Sequence, residues 1–205
     1  MKRILGAAII IALIISNWAG ESFALRSKAE RRDQAVEVYL KEFVGEPVHQ
    51  AYPKIYQAIE EVFHKLPADV FKNLTDRRRP VVIIVNITSG IAKYANSTEF
   101  TVGNNERQMF AQGFYLLKLG DELENSPNIE AIEGIVFHEL AHRYLEHLRQ
   151  PVFSCEMERE ANRQVKKWGF EKEYKAAKEF FGAKNKEDSP CFDAETKKQG
   201  GENEK

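Results

Sequence analysis

Residues 135–147 read IVFHELAHRYLEH. His138 and His142 are four positions apart, so on an α-helix they lie about 40° from each other, one turn further along, and their imidazoles converge. Glu139 lies about 100° round from His138, close enough to reach a water molecule beside an ion held by the two rings. This is the H-E-x-x-H spacing, in which two neutral imidazoles hold zinc and the carboxylate acts as general base. The competing reading is a polar patch on a core helix. The flanking residues argue against it: Ile132, Ile135, Val136, Phe137, Leu140 and Tyr144 bury most of the helix. Two histidines and a glutamate are costly there without a partner, and a zinc ion is one. Ala131, Gly134 and Ala141 are small enough for a second helix to approach and supply a third ligand.

That ligand is expected in CEMEREANRQVKKWGF, residues 155–170, which contains Glu156, Glu158 and Glu160. Glu158 and Asn162 form an i, i+4 pair, so one helix face offers a carboxylate to the metal and an amide oxygen to the N–H of a ligating imidazole. Glu158 is therefore the expected third ligand, with Glu156 as its competitor. Glu160 points about 200° away from Glu158, towards solvent. His147 follows His138 by nine residues, half a turn round on an unbroken helix. It cannot share the ion unless the helix breaks, so a structural or outer role is expected. His49 and His64 have no ligand-type partner at useful spacing and are read as structural or exposed.

The elements that must position these groups are legible in outline. Apolar residues recur at helical spacing over 27–43, ended by Gly45 and Pro47, and again over 53–65, with a short helix over 67–71. Pro80 introduces VVIIVNI, residues 81–87, a β-branched run of the kind expected for a strand buried on both faces. Residues 97–102 and 109–119 read as further strands separated by Gly103, Asn104 and Asn105. Helical patterns return over 129–148, 155–168 and 171–181. The expectation is an α+β domain: N-terminal helices, a small twisted sheet of about three strands, then two ligand-bearing helices packed beneath it.

The 205 residues carry 30 Lys and Arg against 31 Asp and Glu, a net charge of -1. No field of one sign points to nucleic acid as a partner. The run Arg77-Arg78-Arg79 is read as a solvated edge ahead of the first strand. Lys2 and Arg3, the apolar block 4–15 and Ser22-Phe23-Ala24 have the three parts of an export signal. At 12 residues the block is short of the roughly 20 a membrane helix needs. Residues 1–24 are thus expected to be a cleaved leader, with membrane attachment only if they are retained, and 25–183 a single domain exported to the periplasm or beyond. The two cysteines, Cys155 and Cys191, are a candidate disulfide in an oxidising compartment, with free thiols as the alternative. Residues 184–205 are polar, with little to bury.

HELAH at 138–142, His147 and EREAN at 158–162 followed by WGF resemble the gluzincin zinc metallopeptidases of the HtpX and CAAX-prenyl-protease type, over roughly residues 105–170. The family pattern usually ends in Asp where this chain has Asn162; the E-x-x-A-N form is similar to the anti-repressor peptidases. The resemblance implies a zincin-like fold, one zinc per chain on His138, His142 and Glu158, and Glu139 as catalytic base. It further implies hydrolysis of peptide bonds in a protein or peptide substrate laid against a sheet edge, provided here by residues 109–119 or the neighbouring strand. Tyr174, Arg163 and Tyr144 are the candidates for stabilising the oxyanion. A zinc-containing module that binds proteins without cleaving them is the alternative function.

Overall fold

The computed structural model describes residues 29–86, 94–100, 113–150 and 154–182, together with Cys191. The expected leader at 1–24 and the polar tail, apart from Cys191, lie outside these residues. The chain is α+β. Helix α1 runs over 29–43, followed by α2 (Glu46–Ala51), α3 (Pro53–Lys65) and α4 (Ala68–Leu74). Strands β1 (Val81–Asn86), β2 (Ala95–Phe100) and β3 (Phe114–Gly120) come next. A 3-10 turn at Asp121–Asn125 leads into α5 (Ile129–Tyr144), α6 (Cys155–Lys167) and α7 (Glu171–Phe181). Helix α2 was not expected. Pro47 does not merely stop α1; it sits in the first turn of α2, where a missing N–H has no helical partner to lose.

The sheet order is β1-β3-β2, with β1 parallel and β2 antiparallel to β3. Within the described residues β3 is thus central, and the edge beside the helix that carries HELAH falls to its neighbour β2 rather than to β3. Inward side chains alternate along β3: Tyr115, Leu117 and Leu119 join the core. Strand β1 corrects the expectation of burial on both faces. Val81 and Ile83 are fully buried but Ile84 is 37% exposed, so among the described residues only one face of the strand is fully covered. Phe100 and Phe114 are a stacked cross-strand pair on the open face.

Helix α5 is the centre of the molecule. It starts at Asn128, whose side chain accepts from the Glu130 N–H at 2.9 Å, and packs against α3, α4, α6, α7 and β2. Ile132, Val136, Phe137 and Leu140 are all fully buried. The small residue Gly134 does admit a close helix, but that helix is α7 and not the glutamate-bearing one. A Cβ at this position would lie 2.2 Å from the carbonyl oxygen of Glu173. Helix α3 is fastened to the 3-10 turn by Glu124, whose two carboxylate oxygens accept from Lys54 N–H at 3.1 Å and Ile55 N–H at 3.0 Å, satisfying donors that a helix N-terminus leaves open.

Glu133, fully buried on α5, is held by Lys65 of α3, which donates to both of its carboxylate oxygens at 2.7 and 2.6 Å. Burial, with the Glu61 carboxyl beside it, pushes the Glu133 carboxyl up to about 7 in spite of Lys65. A carboxyl raised in the folded state stabilises the fold fully below its unfolded value of about 4.5, and that contribution fades as pH rises to about 7. Chemical denaturation should therefore find a stability contribution on the order of 2 kcal/mol lost between pH 4.5 and 7, and Glu133→Gln should flatten that slope. At Gly134 the added methyl of Gly134→Ala must push α7 away from α5. A loss of about 1–3 kcal/mol is expected in the same measurement.

Candidate metal centre

His138 and His142 project from the middle of α5, and Glu158 from the first turn of α6. Ser154 caps α6 by accepting from the Met157 N–H, and Cys155, its first residue, is bonded to Cys191. The two cysteines are therefore paired, with Cα atoms 5.0 Å apart. His138 Nε2 lies 3.1 Å from His142 Nε2 and 3.1 Å from Glu158 Oε2, and His142 Nε2 lies 3.3 Å from Glu158 Oε1. Glu156, the competitor, is on the surface with Arg159 and Arg163.

The remaining ring nitrogens decide what the cluster can hold. Asn162 Oδ1 is 2.9 Å from His138 Nδ1, so it accepts that N–H and leaves a lone pair on Nε2. His142 Nδ1 is 2.9 Å from His147 Nδ1, and His147 Nε2 is 3.1 Å from Glu160 Oε2. The carboxylate can only accept, so His147 carries its proton on Nε2 and takes the Nδ1–H of His142. His142 Nε2 is then also a lone pair. Two such nitrogens and a carboxylate oxygen, facing one another at these distances, repel unless a cation lies among them. Zinc fits: bonds of about 2.0 Å in a tetrahedral shell set ligand atoms about 3.3 Å apart. Without it a proton is drawn in. Burial works against charge on His138 and Glu158, but their mutual contact outweighs it, so the imidazole is raised and the carboxyl is held well below the usual carboxylate range.

Glu139 faces β2, where the Ser97 hydroxyl donates to its Oε2 at 2.7 Å. The Tyr115 hydroxyl donates to the Glu139 backbone carbonyl at 3.1 Å, tying the helix to β3. Neither contact was foreseen, because strand register has no signal in local sequence; Ser97 is recognisable only as the start of an expected strand. The three oxyanion candidates are engaged by groups outside the cluster. Tyr144 meets Trp168 edge-on, Arg163 pairs with Glu156, and Tyr174 lies near the ammonium groups of Lys166 and Lys178.

His147 corrects the expected geometry. Helix α5 does break: Tyr144 is its last residue, and Glu146 takes a left-handed conformation with φ of 59° before a short 3-10 turn. The ring is thereby returned to the metal-binding side, behind His142, without joining the ligand set. Glu160, expected to face solvent, is 47% exposed yet reaches His147. His49 and His64 behave as expected, packed on Tyr56 and paired with Asp33 respectively.

The arginine run is also corrected. Arg77 and Arg78 are exposed, but Arg79 is 5% exposed and lies 2.5 Å from Glu99 of β2, itself 4% exposed, and 2.7 Å from Glu146. Arg149 joins both carboxylates, and Arg143 donates to the Arg79 carbonyl. This cluster clamps β2, and with it Ser97, to the C-terminal end of α5.

The chain matches no family model, no curated protein and no solved structure. Arg79→Met leaves Glu99 buried with Arg149 alone, so denaturant unfolding should show a loss of about 3 kcal/mol. Arg77→Met, a surface control, should stay within about 0.5 kcal/mol.

Proposed function

We propose that the chain is an exported zinc-dependent metalloendopeptidase of the gluzincin kind, cleaving peptide bonds in protein or peptide substrates. The observation that carries this reading is the convergence of His138, His142 and Glu158 at zinc-ligand spacing, with the Glu139 carboxylate near enough for its charge to act on His138. A structural zinc site needs no carboxylate of this kind, whereas a hydrolytic one needs a base.

Zinc, when bound by the three side chains, supplies a Lewis acid that polarises a scissile carbonyl and acidifies water. Glu139 accepts the proton of the attacking water as its oxygen bonds to the carbonyl carbon, and delivers it to the amine as the C–N bond breaks. The Ser97 hydroxyl holds that carboxylate in one orientation from the strand side. Asn162 and His147 keep the ligand rings turned towards the ion. Substrate lies along β2 as an added strand, its backbone paired with the edge that β3 does not use. Export is supported by the leader-like N-terminus and by the Cys155–Cys191 bond, which belongs in an oxidising compartment.

The test is zinc content together with cleavage of a denatured protein, for wild type and Glu139→Gln side by side. About one zinc per chain is expected in both, with cleavage reduced by about 10²–10⁴-fold in the variant. Undiminished cleavage by Glu139→Gln overturns the mechanism. Zinc and peptide binding without cleavage by the wild type would instead identify a binding module.

A further inference from the structure

Tyr144 to His147 do something that helix geometry alone would not. Left helical, the chain would carry His147 away to the far side of α5. Instead Glu146 adopts a left-handed backbone, which costs a non-glycine residue about 1 kcal/mol. Two arginines hold it there, Arg79 at 2.7 Å and Arg149 at 3.1 Å. The product of this reversal is one buried contact, His147 Nδ1 to His142 Nδ1 at 2.9 Å, with Glu160 at 3.1 Å from the other nitrogen of His147. The two metal-site histidines are thus treated differently. His138 is oriented by the Asn162 amide, whereas His142 is oriented by a second imidazole backed by a carboxylate on α6, the helix that also carries Glu158.

We propose that His147 and Glu160 are a positioning pair that fixes the tautomer of His142, keeping its Nε2 lone pair turned to the metal. The inference rests on the zinc reading given above and deepens it. The order of the chain matters. Glu160 can only accept, which places the proton of His147 on Nε2; His147 Nδ1 must then accept, which places the proton of His142 on Nδ1. Without Glu160 the imidazole of His147 is free to present an N–H to His142 Nδ1, which would leave the His142 proton on Nε2, the nitrogen that faces the cluster. Because Glu158 and Glu160 share α6, the same helix placement that brings the third ligand also sets the second.

The test is titration of the zinc-free protein with zinc against a competing chelator, alongside thermal melting of the zinc-free form. Five chains are compared: wild type, His147→Phe, Glu160→Ala, the double variant, and His147→Gln as the conservative replacement. His147→Phe should weaken zinc binding about 10–100-fold, and His147→Gln, which still offers an oxygen to the His142 N–H, should recover part of that loss. Glu160→Ala should weaken binding several-fold in the wild-type background and have no further effect beside His147→Phe, since it acts only through that ring. If His147→Phe does not fold, His147→Gln and the surface variant Glu160→Ala carry the comparison. Unchanged zinc affinity in Glu160→Ala, or equal losses from it with and without His147, overturns the pair. A wild type that takes up no zinc overturns the metal reading itself, and is distinct from a wild type that binds zinc while every variant binds it equally.

Discussion

A helix buried along most of its length offers little solvent to its polar side chains, and α5 carries five buried or half-buried ones within eleven residues: Glu133, His138, Glu139, His142 and Arg143. Each one dictates something outside the helix. Glu133 calls for Lys65 on α3, Glu139 for Ser97 on β2, and Arg143 for the backbone carbonyl ahead of β1. The histidines require Asn162 and Glu158 from α6 on one side and His147 on the other. The arrangement of the other elements around α5 is in large part the set of solutions to this one problem, since an unpaired polar group in such a place costs more than most single packing contacts contribute.

Two consequences bear on chemistry. The first is that the edge strand is held by charge as well as by its ladder. β2 contributes little to the core, its residues half-buried or exposed apart from the enclosed Glu99 side chain. Its position over α5 is set by the pairing with β3 and by Glu99 locked between Arg79 and Arg149. The second is that α6 is registered at its N-terminus by the Ser154 cap and the Cys155 bond, and along its length by buried Met157, Ala161 and Val165. Met157, Ala161 and Val165 face the core, which leaves Glu158 and Asn162 on the adjoining face beside the histidines.

The local parts of this arrangement were legible in the sequence. HELAH announces itself because a single helical turn brings both rings together, and Glu158 was preferred for its i, i+4 pairing with Asn162, with Glu160 set aside by angle and Glu156 left as its competitor. The other helices and the three strands, α2 excepted, were read to within a few residues over their described parts, as apolar spacing is a property of short segments. What failed was non-local. His147 was placed by extending the helix past Tyr144, and nothing in HRYLEH announces a left-handed Glu146, which two distant arginines hold in place. Arg79 looked like its neighbours because its partner, Glu99, is 20 residues further along the chain. Gly134 was read correctly as a point of close approach, but a small residue says only that something comes near, and α7 rather than α6 is what comes.

The same non-locality explains why the site is more than its three ligands. Each imidazole has two nitrogens, and the motif constrains only the position of the ring, not which nitrogen bears the proton. That choice is made by Asn162 for one ring and by His147 with Glu160 for the other, all of them beyond the five residues of the motif. A helix with the same HELAH but a different break after Tyr144 would keep the spacing of its nitrogens and lose control of the second lone pair. The metal-binding capacity of this chain therefore resides in the joint placement of α5, its reversal at Glu146 and one face of α6, and the arginine cluster that holds Glu146 is part of the same device that holds the edge strand.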